Sequence, residues 1–205
     1  MPKVNPHPVP TPLQKKLLCD LLQDAKTCYE RQWNSGTAGN FSIRGSSGLL
    51  WQSPSGFCKG RLSPQDFIPV AIDSLQSYGP FFARPSDETP LHAAVYRKFK
   101  DARVVIHVHT PFITKASYLG SELVFEGHEM AKALGAASHK QRVVVPVVEN
   151  TQNMHELAEK VLKMKFEANL LVLRGHGVYS FAPSSYGALA LIEALEFLCQ
   201  TCYPV

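Results

Sequence analysis

Val104-Val105-Ile106-His107-Val108-His109 and Leu170-Leu171-Val172-Leu173-Arg174-Gly175-His176-Gly177 are the two stretches that decide how this chain folds. Each opens as a short apolar run of the kind that forms a buried strand. Each then ends in histidine. Side chains two apart on a strand share a face, so His107 and His109 aim at one point. His176, at the mouth of the second strand, can complete a three-nitrogen site with an open position. A catalytic divalent cation such as zinc requires that ligand set. Nitrogen ligands also admit iron, cobalt or manganese. One such histidine alone would read as a core residue satisfied by backbone groups; two on one face plus a third in Gly-His-Gly read as a metal site. His7 falls in the N-terminal arm. His139 and His155 sit among polar residues and read as exposed. His92 and His128 lie beside motif residues without an assigned role.

Outward from these strands, helices and strands alternate. Residues 1–10 carry four prolines and read as a loose arm. Thr11-Pro12 opens a helix, with Gln14 placed for a capping box and Leu13, Leu17, Leu18, Leu21 and Leu22 as its apolar stripe. Phe41–Ile43 and Leu49–Trp51 flank a hairpin break at Gly45-Ser46-Ser47-Gly48. A helix starts near Thr89-Pro90, with Leu91, Ala94 and Val95 inward, and feeds the strand Arg103–His109. A short helix over Glu129–Leu134 stops at Gly135. Arg142–Val148 is a strand, Asn153-x-x-Glu156 starts a helix through Lys165, and Ser184 or Ser185 starts the last one. This order predicts an α/β domain over residues 11–205, three layers deep, with a central mixed or antiparallel sheet between helices.

Composition sets limits on the partners. A chain of 205 residues, 45% hydrophobic and 19% charged, has a globular balance. The net charge of +4 is mild and its basic residues are scattered, which predicts no nucleic-acid partner. No stretch is long and apolar enough to span a membrane, and no signal-peptide core is present. Five unpatterned cysteines read as reduced thiols, so the expected compartment is the cytoplasm. Cys199-x-x-Cys202, without a second pair, reads as two thiols near the end of a helix.

Three small-residue segments supply hydroxyls and backbone N–H groups: Ser35-Gly36-Thr37-Ala38-Gly39-Asn40, Ser53-Pro54-Ser55-Gly56 (followed by Lys59 and Arg61) and Pro85-Ser86-Asp87-Glu88-Thr89. The last precedes a helix, where free N–H groups and the dipole favour an anion. Each alone is an ordinary turn; together they suggest a phosphate cradle. Glu129, in Glu126-Gly127-His128-Glu129-Met130, reads on spacing alone as an acid in the first turn of a helix.

Taken in order, Gly36–Ser42, Ser53–Gly56, Pro85–Glu88, His107–His109 and Arg174–Gly177 resemble the class II aldolase family, over nearly the whole domain. The segments Ser55–Arg61, Gly127–Ala133, Val145–Thr151 and Gly175–Tyr179 are most similar to its dehydratase branch, which acts on a methylthio-substituted ketose phosphate. The resemblance implies one Zn2+ per subunit on His107, His109 and His176, and Glu129 as catalytic acid/base. It implies Glu88 as a further contact to metal or substrate. It places phosphate at Gly39, Asn40, Ser55, Gly56, Ser86 and Asp87, with the Asp87 carboxylate turned away. It also implies a homotetramer whose sites lie between subunits. The rival readings are a sugar-phosphate aldolase or 4-epimerase of the same family, and a non-catalytic interaction protein on the same fold. Phe81, Phe82, Phe112, Tyr118 and Tyr179 are candidates for a thioether pocket, each equally readable as core.

Overall fold

A computed structural model describes residues 8–80 and 83–203. In chain order the elements are α1 (Pro12–Glu30), β1 (Asn40–Arg44), β2 (Leu49–Gln52), β3 (Ile68–Ala71), α2 (Thr89–Lys98), β4 (Val104–Val108), α3 (Pro111–Ala116), β5 (Glu122–Phe125), β6 (Val143–Val148), α4 (Met154–Lys163), β7 (Leu170–Leu173), β8 (Gly177–Ala182) and α5 (Ser185–Cys202). The strands form one sheet in the order β3-β2-β1-β4-β8-β7-β6-β5. Every neighbouring pair is antiparallel except β6–β7. The sheet is therefore mixed, and helices cover both faces.

Alternation along β4 builds the two cores. Val104, Ile106 and Val108 point toward α1, α3 and α5, while Val105 points toward α2 and α4. All five residues of β4 are buried, as are all six of β8. A strand covered on both faces reads as a nearly continuous apolar run rather than an alternating one, so a histidine in β4 is conspicuous. His107 lies on the α2/α4 face, fully buried, opposite Asn40 of β1 and Tyr179 of β8.

Most predicted boundaries match. Thr11 caps α1 with both halves of the capping box, and Ser184 caps α5. In α1 the buried stripe is Gln14, Leu18, Leu21, Ala25 and Cys28, whereas Leu13 is 58% exposed. Glu129–Leu134 is a 3-10 rather than an α-helix and ends at Gly135, which has a positive φ. Cys199 and Cys202 lie in the last turns of α5. Among the described residues no helix is long and apolar enough to cross a membrane. Most of the predicted arm (1–7), together with Phe81 and Phe82, falls outside the described residues.

Candidate active site

Three loops and the ends of central strands meet at one end of the sheet around a cavity of about 410 Å3. His107, His109 and His176 line it together with Glu88 and with Gly39, Asn40, Ser55, Gly56, Ser86 and Asp87. The predicted metal ligands and the predicted phosphate loops therefore share one chamber.

The histidines converge as their spacing requires. One ring nitrogen from each lies within 4.8 Å of the other two. The Nε2 atoms of His107 and His109 are 3.0 Å apart. Ligands about 2.0–2.1 Å from a tetrahedral zinc stand about 3.3–3.4 Å from each other, so small side-chain shifts suffice to fit the ion. The ring nitrogens facing away are tied down. His107 Nδ1 donates to the Val178 carbonyl at 3.1 Å, and His176 Nδ1 donates to Asn150 Oδ1 at 3.3 Å. Both bonds leave the Nε2 lone pairs turned inward. Burial holds His107 near pKa 4 and His109 near 3, so both are neutral and available as ligands at pH 7.

The backbone is fitted to this cluster. His109 follows the last residue of β4, and its N–H donates to the Trp33 carbonyl at 2.7 Å. Gly39 has φ +71°, and a Cβ there would stand 2.7 Å from the His107 carbonyl oxygen, so the β1 loop reaches the metal strand only with glycine. The β7–β8 turn carrying His176 is clamped from outside. Arg174 donates to Glu149 (2.6 Å) and to the Ser117 (2.6 Å) and Gly120 (3.0 Å) carbonyls, and the Gly175 N–H donates to Ser117 Oγ at 2.8 Å.

Glu88 caps α2 by position, yet its side chain makes no capping bond. Its carboxylate instead faces the cluster, with Oε2 3.3 Å from His107 Nε2 and Oε1 3.3 Å from His176 Nε2. Oε2 also accepts from Tyr179 Oη at 2.5 Å and from Asn40 Nδ2 at 2.6 Å. Burial alone would raise its pKa. The neighbouring imidazoles when protonated and the Tyr179 and Asn40 bonds outweigh that and hold it near 2.

Behind Glu88 runs a hydrogen-bond chain that the sequence reading did not assign. Asn40 uses its amide nitrogen on Glu88, so its Oδ1 accepts from His92 Nε2. His92 Nδ1 must then accept from Ser42 Oγ (2.7 Å), which accepts from Tyr96 Oη (2.8 Å). Burial keeps His92 neutral, near pKa 3. Asn40 thus lines the cavity with its side chain already engaged, and it stands opposite His107 in the β1–β4 ladder. Tyr179 stacks on His107 at 4.1 Å between ring centroids and belongs to this chain of contacts, not to an apolar pocket. Its only sequence signal was its place two residues after Gly177. Phe112 packs on the core beneath α5, and Tyr118 is 65% exposed; neither lines the cavity.

The predicted phosphate loops are stitched to each other. Ser55 N–H donates to the Arg84 carbonyl and Ser86 N–H to the Ser53 carbonyl, at 2.9 and 3.3 Å. The exposed Asp87 carboxylate is held in an ion pair with Arg84.

Glu129 does not line this cavity. It stands exposed on the 3-10 helix, paired with Lys132 at 2.5 Å, in a separate groove with His128, Met130, Lys132, Ala133 and Phe197. One chain therefore brings together the predicted ligands and the predicted phosphate loops, but not the predicted acid/base.

This fold and this chamber place the chain in a known group. The family described as the class II aldolase and adducin N-terminal domain matches residues 19–203, and the chain belongs to it. Within it, the chain is 36% identical over 187 residues to a methylthioribulose-1-phosphate dehydratase of Citrobacter koseri, covering 88% of this chain and 91% of that one. It is 38% identical over 187 residues to a protein of the same name from Enterobacter sp. (strain 638), with the same coverage. The crystal structure of l-fuculose-1-phosphate aldolase from Thermus thermophilus, 27% identical, matches with a TM-score of 0.74 over 91% of this chain and 93% of that one.

Proposed function

We propose that the chain is a zinc-dependent dehydratase, a carbon–oxygen lyase that removes water from 5-methylthioribulose 1-phosphate to give 2,3-diketo-5-methylthiopentyl 1-phosphate. This reaction belongs to methionine salvage. The catalytic domain is residues 11–205, and the enzyme works in the cytoplasm as a homotetramer with one zinc per subunit. The observation that carries the reading is the shared chamber: three imidazoles and three Ser/Gly loops face one cavity, in a chain similar along its length to dehydratases of that name.

His107, His109 and His176 would hold the ion, which when bound supplies Lewis acidity toward the carbonyl end of the substrate. Backbone N–H groups at Gly39 and Gly56, with the Ser55 and Ser86 hydroxyls, bind the phosphate beside Asn40 and so fix C3 relative to the base. Glu129 takes the C3 proton and returns one to the departing C4 hydroxyl, which leaves as water. The enol left behind becomes the diketone. Glu129 reaches this chamber from a neighbouring subunit. Half-exposed Phe197 and exposed Met130 beside it form an apolar patch that a second copy would cover. Glu88, held ionised by Tyr179 and Asn40, stands beside the imidazoles as a further contact to the ion or the substrate.

Incubation of the purified protein with 5-methylthioribulose 1-phosphate, fuculose 1-phosphate and ribulose 5-phosphate tests the reading. Water loss from the first alone is expected. Carbon–carbon cleavage of the second would move the assignment to an aldolase, the reading favoured by the Thermus structure. Glu129→Gln should lose about 100-fold or more in turnover with zinc retained. Mixing it with an inactive His107→Ala protein should restore activity in hybrid assemblies if Glu129 acts across the interface. No recovery in demonstrated hybrids would refute the cross-subunit role.

A further inference from the structure

Lys59 follows the second phosphate loop and is only 2% exposed. Its Nζ donates to the Thr37 carbonyl at 2.9 Å and the Phe57 carbonyl at 2.7 Å, one from each of two cradle loops. Two acceptors satisfy two of the three ammonium protons. Among the described residues no carboxylate pairs with it. Glu88 is engaged with Tyr179 and Asn40, and Asp87 with Arg84. A buried ammonium without a counter-charge is costly and is seldom retained unless something supplies the charge. Lys59 also lines the cavity, beside Ser55 and Gly56.

We propose that Lys59 is the charged anchor of the substrate phosphate, its third N–H donating to a phosphate oxygen while the other two lock the loops at residues 37 and 57 together. This rests on the reading of the loops as a phosphate cradle. The loops themselves offer only neutral donors: hydroxyls and backbone N–H groups. One cation is what the cradle lacks to bind a dianion strongly. Burial lowers the Lys59 pKa to about 8, so the ammonium still predominates at pH 7. An arriving phosphate would compensate that burial and hold the proton on nitrogen.

Inorganic phosphate is the probe, used as a competitive inhibitor of the metal-loaded enzyme. In wild type it should inhibit. In Lys59→Met, which keeps the stem and removes the charge, the inhibition constant should rise about tenfold to a hundredfold, the range of one charge-assisted hydrogen bond, with zinc content unchanged. A merely structural strut would not confine the loss to the anion, so Lys59→Arg, which keeps the charge, should recover part of the affinity. An inhibition constant within twofold of wild type in folded, zinc-loaded Lys59→Met would overturn the proposal and leave the cradle standing. If phosphate fails to inhibit wild type and Ser55→Ala leaves KM unchanged, the cradle itself is wrong. A crystal of the wild-type enzyme soaked in phosphate decides the matter even if the variants do not fold. Nζ within about 3.2 Å of an anion oxygen supports the assignment, and an anion bound elsewhere in the chamber overturns it.

Discussion

Replacing Tyr179 with phenylalanine removes a single oxygen from the surroundings of Glu88. The ring keeps its stack on His107 and its volume in the core, because the tyrosine is fully buried. What disappears is the 2.5 Å bond to Glu88 Oε2, leaving Asn40 at 2.6 Å as the remaining close donor. A hydrogen bond to a charged group contributes about 1.5–3 kcal/mol. Phenylalanine leaves no unpaired group of its own and the carboxylate retains one donor, so the expected loss is about 2 kcal/mol. For a chain of this size each kcal/mol moves the melting temperature by about 2–4 °C, giving a drop of about 4–8 °C in the metal-free protein. The assay is a double-mutant cycle by thermal or urea unfolding, with Tyr179→Phe made in wild type and in Glu88→Gln. In the Glu88→Gln background the bond is neutral and the cost should fall to about 1 kcal/mol or less. An undiminished 2 kcal/mol there would refute the reasoning, since the loss would then come from packing and not from the carboxylate.

The metal-free protein should weaken as pH falls from about 7 toward 5. His92 and His107 gain a proton near pH 6.5 when unfolded but only near 3 and 4 when folded, so the unfolded chain binds more protons across that window. The two together cost about 3–4 kcal/mol by pH 5, and a flat urea-unfolding stability between pH 7 and 5 would contradict their buried, neutral state. His107→Ala should lose zinc and activity together, read by metal analysis alongside turnover; full zinc content in the variant would remove His107 from the ligand set. Gly39→Ala forces a left-handed alanine against the His107 carbonyl and should cost about 2–4 kcal/mol and weaken zinc binding; a neutral effect on both would mean that the approach of β1 to β4 is looser than described.

The parts of this molecule that were legible in the sequence are those governed by local rules. The caps at Thr11 and Ser184, the stop at Gly135 and the hairpin at residues 45–48 follow from residue chemistry within a few positions. The histidine cluster was legible because period-two alternation fixes His107 and His109, and because His176 stands in a glycine turn that ends a strand. Glu122–Phe125, Pro111–Ala116 and Gly177–Ala182 carry no such signal. β8 begins with the glycine that reads as part of the turn, and its strand character comes from being clamped between β4 and β7. The chain from Tyr96 through His92 to Glu88 was not legible, because its members join across β1, α2 and β8 only once the register is set. The burial of Lys59 was not legible for a similar reason: only the packed loops bury it.

The order of the sheet also dictates when in folding the three-histidine cluster can exist. His107 and His109 are neighbours in sequence, but His176 joins them only after β8 has paired with β4, which closes most of the intervening chain into a loop. Such distant pairings carry a large closure entropy and form slowly. An incomplete chain therefore holds at most a two-nitrogen site, and tight zinc retention becomes a signal that the central strands have closed. Added zinc should consequently slow unfolding far more than it speeds folding.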